Sequence, residues 1–451
     1  MTAIASHRES PLNESAKPLD PRPARKCYKV YAMKRAFYGW WITAASVVTF
    51  GLSTGLPYYN FGPFFFDYFQ RTYHWSRSEI TLGFPLAAIL TLWAGPLLVH
   101  RFSPRKLIMI GTGLTFAALA GFGRMNGTLA MYYLLWVVYT VGYILSGPIP
   151  HQLIVSNWFR KNRGKAMGIV YVGVGLVGAF GSVIVRPLTA NFGFQNALLI
   201  LAAMMFLTWP VALFIMKDRP SDIGQFPDGA LQPSAELSQK ARSFSDLLHS
   251  YPFWLLLIGS FCSIGSIGAV NFHMKLVFLD AGYQAGRQVD SVWSASSAII
   301  LCSSIAGRLS IGYFSDRFPK KYVMTATYFI VAATIPLLLV VKAPDTPFAF
   351  AILFGFAMGA DYMLIPLMAA DQFGVNSLPR AMAVILPVNT IGQTWFPYFV
   401  SLLRDKFGTY NVAMGAVFGL AMLGALAIAL LPRREKEEDS PLYARPGQAT
   451  A

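Results

Sequence analysis

The sequence predicts an all-α integral membrane protein in which twelve transmembrane helices form two six-helix bundles, with both termini in the cytoplasm. Three observations predict this fold. The composition is 55% hydrophobic and only 13% charged, twelve apolar segments are long enough to span a bilayer, and a pattern of short motifs recurs at an offset of about 215 residues. A soluble domain of 451 residues does not usually reach this composition.

The apolar segments are each long enough to cross a hydrocarbon core of roughly 30 Å. We expect helices, because an open sheet edge leaves backbone groups unpaired in lipid and because these runs are too continuous for barrel strands. The expected spans, which we number helix 1 to helix 12 in chain order, are residues 38–69, 79–99, 106–123, 128–158, 164–190, 194–216, 252–280, 288–314, 321–342, 346–372, 380–405 and 409–431.

The basic residues are distributed unevenly between alternate loops. If the amino terminus is cytoplasmic, 27 of the 37 Lys and Arg residues lie in inside segments, seven lie in outside loops and three lie within spans. This asymmetry follows the positive-inside rule and predicts that both termini face the cytoplasm. The net charge of +16 therefore reports orientation in the membrane, and we do not expect a nucleic-acid partner.

The chain divides into five expected regions. Residues 1–37 are rich in proline and charge and lack an apolar signal-peptide core, so we expect a disordered cytoplasmic tail. Two six-helix bundles, 38–216 and 251–432, flank a polar cytoplasmic linker at 217–250, and residues 433–451 form a second cytoplasmic tail. The three cysteines show no metal-ligand spacing and predict no disulfide framework.

The two halves carry matching motifs. "HRFSPRK" at His100 recurs as "DRFPKKY" at Asp316, an offset of 216, and "FGFQNA" at Phe192 recurs as "FGTYNVA" at Phe407, an offset of 215. Halves duplicated in the same orientation are typical of transporters whose binding site lies near mid-membrane, where the repeats meet.

The second copy of the loop motif has a physical interpretation. Gly312 lies one turn before Asp316, so a neighbouring helix can approach closely, while Asp316 and Arg317 can contact helix ends at the inner face through charge-assisted hydrogen bonds. Such contacts would hold the inner side closed. In the first half His100 replaces the acidic residue and Arg101 is the matching arginine, so we expect either a weaker latch or only a loop that sets topology.

Charged residues within spans are costly, at roughly 2.5–3.5 kcal/mol each on insertion scales, and they mark function. Arg308 lies eight residues before Asp316, which places it about 12 Å deep along the helix. Asp361, in "FAMGADYMLIP", lies at the middle of its span, where desolvation favours the neutral acid, and is the candidate proton carrier. The alternatives are a structural Arg308–Asp361 pair or a hydrogen bond from Asp361 to helix 11.

Helix 7 contains "NFHMK", which places Asn271 and Lys275 on one face and His273 on another. These residues are candidates for substrate binding. The alternatives are that Lys275 extends outward to the membrane surface, since Asp280 is only five residues away, and that His273 is a hydrogen-bonded structural histidine.

Helix 1 contains "GLPYYNFG", which supplies Tyr58, Tyr59 and Asn60 beside a bend at Pro57. We name these three as candidate lining residues of a central cavity, with aromatic packing as the alternative.

The loop motif "GYFSDRFPKK", its degenerate copy in the first half, the twelve spans and the central linker together resemble the major facilitator superfamily over roughly residues 36–432. Within it, "YGWWITAASVVTFGLSTGLPYYNFGPFF", "NWFRKNRGKAMGIVYVGVG" and "GRLSIGYFSDRF" most resemble the branch of monocarboxylate and oxalate–formate transporters. The resemblance implies two bundles that alternate access to a central site.

The resemblance also implies a role for one residue. In monocarboxylate transporters an arginine in helix 8, followed four positions later by glycine, binds the substrate carboxylate, and this pattern falls on Arg308 and Gly312. Those transporters have an acidic residue one turn before the arginine, where this chain has Ser304, so the proton site is expected elsewhere, at Asp361. Oxalate–formate exchangers also have a lysine in helix 11, whereas residues 381–403 of this chain contain no lysine. The resemblance therefore favours a monocarboxylate over a dicarboxylate such as oxalate.

These observations predict a secondary active transporter of small organic anions and, in its most specific form, a proton-coupled monocarboxylate symporter that works by alternating access. The alternatives are an organic-anion exchanger or drug exporter and, from another class, a membrane receptor or sensor that does not transport. We expect no enzymatic activity, no catalytic residues, no metal and no cofactor other than the coupling proton. We expect a monomer in contact with membrane lipid, located in the plasma membrane and specifically in a bacterial inner membrane.

Overall fold

The computed structural model describes residues 37–230, 241–284, 287–340 and 345–432, and within these ranges the regular structure is helical, without strands. The predicted tails lie outside the described residues, apart from Phe37. The helices are Gly39–Phe50 (α1), Leu56–Tyr73 (α2), Arg77–Thr81 (α3), Gly83–Leu90 (α4), Ala94–Leu98 (α5), Pro104–Arg124 (α6), Leu129–Ser146 (α7), Pro148–Trp158 (α8), Arg163–Met204 (α9), Thr208–Pro210 (α10), Phe244–Leu248 (α11), Tyr251–Asp280 (α12), Arg287–Arg317 (α13), Lys320–Thr334 (α14), Thr346–Phe373 (α15), Leu378–Phe407 (α16) and Tyr410–Ala429 (α17).

Eight segments of the described chain are long and apolar enough to cross a membrane. They are Pro104–Arg124, Leu129–Trp158, Arg163–Ile215, Tyr251–Asp280, Ser291–Arg317, Lys320–Val340, Thr346–Phe373 and Tyr410–Ala429. They correspond to nine of the expected spans, because Arg163–Ile215 contains two of them. The chain is therefore an all-helical protein with membrane-spanning segments, whereas the count of twelve and the cytoplasmic termini stay predictions.

The remaining expected spans, 38–69, 79–99 and 380–405, are helical but broken or less apolar. A π-helical segment, Gly51–Gly55, joins α1 to α2 immediately before Pro57. Residues 79–99 form parts of three short helices, and α16 contains two internal prolines. These three segments are therefore helical, but they are not among the eight segments counted above.

The glycines of the repeated "FG" motifs both have a positive φ. Gly193, within α9, has φ of 76°, and Gly408, directly after α16, has φ of 74°. This left-handed region suits glycine, which has no Cβ. In the first half, Gly193 breaks the helical conformation of the 53-residue apolar segment, close to the boundary that the sequence predicts between two spans.

We call the end of the molecule that carries residues 100–103, 159–162 and 318–319, predicted to be cytoplasmic, the inner end. Three clusters of buried apolar side chains form the core of the described residues. One cluster joins the inner ends of both halves. The other two each belong to a single half, at the opposite end of the molecule. The halves are therefore packed together most extensively at the inner end.

Several pairs of helices pack across the boundary between the halves. Helix α9 of the first half packs on α13 of the second, and α5 packs on α16. A Cβ added at Gly95 of α5 would collide with the carbonyl oxygen of Ala383 in α16. Small residues permit this close approach of helix backbones in a membrane.

The described residues of the linker, 217–230 and 241–250, follow the inner surface. They form short 3₁₀ turns at Pro220–Ile223 and Pro227–Gly229, together with α11. Asp218 accepts a hydrogen bond of 2.8 Å from the backbone N–H of Arg105 at the start of α6. The expected division of the chain into two bundles stays a prediction.

Candidate functional site

Arg308 of α13 reaches the seam between the two halves. Its Nη1 donates a hydrogen bond of 3.1 Å to the Ser304 hydroxyl one turn earlier. Across the seam, a Cβ added at Gly175 of α9 would lie 2.7 Å from Nη1, and its three nearest heavy atoms all belong to the guanidinium. The missing side chain at Gly175 therefore makes room for the Arg308 cation.

Glycines line the rest of this seam towards the inner end. A Cβ at Gly168 would lie 2.5 Å from the carbonyl oxygen of Arg308, and one at Gly312 would lie 2.7 Å from the carbonyl oxygen of Gly164. The glycines in this part of α9 therefore allow close packing of helix backbones across the seam. Because the backbones touch here, the guanidinium is held where two rigid helices from different halves meet.

A polar bridge crosses between the halves. The Gln393 side-chain oxygen on α16 accepts hydrogen bonds from the hydroxyls of Tyr362, at 2.7 Å, and Tyr58, at 3.5 Å. Tyr58 comes from α2 of the first half, and its ring stacks on Tyr143 and meets Phe84 edge-on. The predicted lining residue Tyr58 is therefore partly buried and contacts the other half.

The other two candidates from the predicted helix 1, Tyr59 and Asn60, follow Tyr58 in α2. Asn60 is buried, and its amide donates to the carbonyl oxygens of Leu56, at 2.9 Å, and Gly178, at 3.1 Å. These contacts join α2 to α9 within the first half and favour packing over cavity lining. The side chain of Tyr59 lies outside what the structure describes.

Asp361 is fully buried inside the second half. Its Oδ2 accepts a hydrogen bond of 2.5 Å from the Ser263 hydroxyl of α12. The hydroxyl of Tyr328, on α14, interacts with the same carboxylate, but it does not form a hydrogen bond of normal geometry. Asp361 Oδ1 and the Tyr328 hydroxyl are both buried, and neither has a hydrogen-bond partner among the described residues. The contacts of Asp361 are therefore to Ser263 and Tyr328, and not to Arg308.

The helix-7 candidates separate onto two faces, as their spacing predicts. Asn271 is exposed and its amide lies 3.3 Å from the Met358 sulfur. The Lys275 ammonium lies over the Trp293 ring, 5.5 Å from its centroid. An ammonium over an aromatic face is attracted by the ring quadrupole, so this lysine is positioned by an aromatic side chain of α13.

His273 points into the second half instead. Its ring is buried, with Nε2 2.8 Å from the Pro397 carbonyl oxygen and Nδ1 3.2 Å from the Tyr410 hydroxyl. Both ring nitrogens therefore have partners, which favours the structural-histidine alternative. The structure brings neither His273 nor Lys275 into contact with Arg308.

Asp316 contacts the opposite half at the inner end. Its carboxylate accepts hydrogen bonds from the backbone N–H groups of Gly164, at 2.6 Å, and Lys165, at 2.9 Å. These groups belong to the first turn of α9, where unpaired N–H groups and the helix dipole favour an anion. We call the contact between Asp316 and this turn the inner latch.

The arginines of the two loop motifs take no part in that contact. The Arg317 guanidinium stacks on the Tyr313 ring, 4.1 Å from its centroid, and does not reach a helix end as the sequence suggested. Arg101 of the first copy is exposed. The seam between α5 and α16 is the counterpart of the seam between α9 and α13, and its helix backbones meet at Gly95. The loop motif that follows α5 has His100 at the position that aspartate occupies in the second copy.

Sequence reasoning missed Gln393, Tyr362, Ser263 and Tyr328. A glutamine inside the apolar run "NTIGQTWF" is a usable signal, because a polar side chain within a span needs a partner. The other three carry no such signal, since serine and tyrosine are common in membrane helices. Only the packing of α12 and α14 against α15 brings Ser263 and Tyr328 to Asp361.

The sequence matches the family described as Major Facilitator Superfamily over residues 149–311 and 294–450. Together these overlapping ranges cover more than half of the chain.

Characterised relatives are similar over most of the chain. A protein named MFS transporter asaE from Aspergillus flavus is 27% identical, covering 80% of this chain and 78% of its own length. The fujikurins efflux protein of Gibberella fujikuroi is 26% identical over 81% of this chain and 76% of its length. Monocarboxylate transporter 10 of Rattus norvegicus is 21% identical over 73% of this chain and 65% of its length.

Solved structures share the fold. The proton:xylose symporter XylE, bound to a brominated glucose derivative, superposes with a TM-score of 0.70 at 12% identity, covering 88% of this chain and 96% of the symporter. The human organic anion transporter MFSD10 gives a TM-score of 0.59 at 11% identity, covering 87% and 97%. At these identities the similarity establishes architecture alone.

Proposed function

Because the chain belongs to the Major Facilitator Superfamily and is related to its monocarboxylate branch, we propose that it is a secondary active transporter of small organic anions. The most specific form of the proposal is a proton-coupled monocarboxylate symporter that works by alternating access. Family membership and relatives named as transporters indicate transport rather than enzymatic catalysis.

Arg308 is the observation that carries the proposal. A guanidinium stays charged in a low-dielectric site, and its planar fork matches a carboxylate through two parallel hydrogen bonds. This cation lies in a membrane-spanning helix, against the opposite half at Gly175. In transporters built from repeats, the substrate site lies where the repeats meet. An arriving anion would neutralise a charge that is otherwise costly there.

Asp361 is the proposed proton carrier. It is buried away from water, and among the described residues its hydrogen-bond donor is the neutral hydroxyl of Ser263. An uncompensated carboxylate in such surroundings favours binding of a proton. Proton loading at Asp361 and anion binding at Arg308 would then occupy separate positions in the same half.

The inner latch supports alternating access. In this conformation the halves are joined at the inner end by Asp316 and by the glycine seam. The proposed cycle opens this end by withdrawing Asp316 from the first turn of α9. Because each hydrogen bond to a charged group contributes about 1.5–3 kcal/mol, two of them are enough to bias the equilibrium between closed and open inner ends.

Export is the second candidate. The fungal relatives include a protein named as an efflux protein, so an organic-anion exporter or exchanger of the same superfamily is supported by similarity. Counterflow that does not depend on a pH gradient would favour exchange over symport. Substrate uptake into proteoliposomes would separate both from a receptor or sensor that does not transport.

The test of the proposed function is binding of a small monocarboxylate to purified Arg308→Lys protein. Lysine keeps the positive charge but replaces the planar fork by a point charge, so we expect folded protein that has lost most of its carboxylate affinity. Arg186→Lys is the matched control, because Arg186 is an exposed arginine in a spanning helix. Near-normal affinity in Arg308→Lys would place the substrate site elsewhere, around Lys275 and His273.

The protein is integral to a membrane, and the plasma membrane is its proposed location. Its reported relatives come from fungi and mammals, so the comparison does not support the bacterial inner membrane expected from the sequence. A monomer in contact with lipid, with protons as the coupling ion and without nucleic acid or metal, completes the proposal.

A further inference from the structure

Two carboxylates from different parts of the chain bind one short turn. The turn is Arg160–Lys165, which comprises the end of the connection between α8 and α9 and the first three residues of α9. Asp228 of the linker accepts hydrogen bonds from the backbone N–H groups of Arg160, at 2.6 Å, Lys161, at 2.7 Å, and Asn162, at 3.3 Å. Asp316 of α13 accepts hydrogen bonds from the backbone N–H groups of Gly164 and Lys165. Five of the six backbone amides are therefore held by two aspartates.

The two aspartates belong to opposite sides of the seam. Asp316 comes from the second half and must leave the turn when the inner end opens. Asp228 lies on the part of the linker that is attached to the first half, where the Gln225 side chain also accepts the Tyr38 backbone N–H at 3.1 Å. Its contact with the turn therefore lies within one half and can persist through the whole cycle.

The backbone at Asp228 is unusual for a residue with a side chain. Its φ is 55°, in the left-handed region, which Asp and Asn adopt more readily than other residues with a Cβ. Such a conformation costs free energy and persists where the surroundings hold it. Here the contacts that hold it are the hydrogen bonds from the backbone N–H groups of the turn. The left-handed backbone of Asp228 directs its carboxylate towards these groups together.

The buried cation of Arg163 is a second reason for a carboxylate at the position of Asp228. Arg163 is 5% exposed, and its Nε donates to the Phe159 carbonyl oxygen at 3.0 Å. Its charge interacts with Asp228, Asp316 and Asp371. When Asp316 and Asp371 withdraw with the second half, Asp228 is the carboxylate that stays beside this guanidinium.

We propose that Asp228 is a positioning residue of the inner latch, because its carboxylate fixes Arg160–Asn162 so that the N–H groups of Gly164 and Lys165 stay aimed at Asp316. The inference rests on the proposed alternating access. A turn that is already ordered loses less conformational entropy when Asp316 returns. Asp228 thus favours the closed inner end without itself crossing the seam.

The test is hydrogen–deuterium exchange, followed by mass spectrometry, on full-length purified protein without substrate. Asp228→Asn removes the charge and one acceptor oxygen, while asparagine tolerates the left-handed backbone. We expect about tenfold faster exchange at residues 160–162, as for a lost helix cap, and roughly threefold or greater acceleration at Gly164 and Lys165 and in the inner-end peptides of α5 and α13.

Asp218→Asn is the matched control. Asp218 lies in the same linker and also accepts a backbone N–H, from Arg105, but it is not in contact with the turn at 160–165. We expect local acceleration at the start of α6 and unchanged exchange at the seam. Asp316→Asn is the positive control, with acceleration at Gly164, Lys165 and the seam while residues 160–162 stay protected.

The outcomes separate the inference from the proposed function. If Asp228→Asn accelerates exchange only at residues 160–162 while Asp316→Asn opens the seam, Asp228 is a local cap and the inference is overturned, but the latch stands. If Asp316→Asn also leaves the seam closed, the latch and the inference fail together. Neither outcome affects the carboxylate measurement on Arg308→Lys, which judges the proposed substrate.

Discussion

Substituting Gly175 by alanine would displace the Arg308 guanidinium without changing any charge. The added Cβ would lie 2.7 Å from Nη1 and 3.5 Å from Cζ, whereas ordinary contact begins at 3.4 Å. The nearest atoms are the end of a flexible side chain and not backbone. We therefore expect α9 and α13 to keep their packing and the guanidinium to move away by about 0.7 Å.

This movement is enough to break one hydrogen bond to a bound carboxylate. An N–H···O distance near 2.9 Å would lengthen to about 3.6 Å, which is no longer a hydrogen bond. Hydrogen bonds to charged groups contribute about 1.5–3 kcal/mol. The expected result is roughly a 10- to 150-fold increase in Kd for a monocarboxylate.

Isothermal titration on purified protein would measure this change, using a monocarboxylate first identified by thermal shift. Gly113→Ala on α6 is the matched control, because its nearest atom would be 3.9 Å away and its effect on helix propensity is the same. An unchanged Kd in Gly175→Ala would refute the assignment of Arg308 to the carboxylate. An equal loss for a neutral compound would indicate general disruption of the cavity.

Two further predictions concern coupling and topology. Asp361→Asn mimics the protonated acid and keeps an acceptor for the Ser263 hydroxyl. We therefore expect substrate exchange in proteoliposomes to persist and accumulation driven by a pH gradient to fail. Unaffected accumulation would assign the proton to another residue. Ala230→Cys, in protein whose Cys27, Cys262 and Cys302 are replaced by serine, should resist an impermeant maleimide added outside intact cells, because the charge pattern places the linker inside. Labelling from outside would invert the predicted topology.

The sequence could predict the features that depend on local pattern and on single costly residues. Apolar length predicted the helices, and Gly312 predicted the close approach of a neighbouring helix, which occurs at Gly164 of α9. The spacing of Gly312 and Asp316 predicted an acid aimed at a helix end across the inner face. Arg308 was identifiable because a charge inside an apolar span is rare and needs a reason.

The environments of these residues could not be predicted, because they depend on which helix faces which. Asp361 was identifiable as a midplane carboxylate, but its contacts with Ser263 and Tyr328 require the packing of α12, α14 and α15. The role of Asp228 requires the fold of a polar linker whose composition suggested only a connection. Arg317 was assigned to the latch from its position in a motif, whereas the nearby Tyr313 ring binds it instead.

Three consecutive residues of α15 connect the separate parts of the proposed mechanism. Asp361 is bonded inside the second half to Ser263, and Tyr362 donates to Gln393, which also meets Tyr58 of the first half. Met363 lies at the glycine seam, its sulfur 3.7 Å from a Cβ placed at Gly168. Because a helix turns nearly as a rigid body, a change in the charge of Asp361 that rotates α15 must also move the bridge and the seam. In the proposed mechanism, proton binding at Asp361 would therefore be mechanically connected to the polar bridge and to the glycine seam, without any ion pair between Asp361 and Arg308.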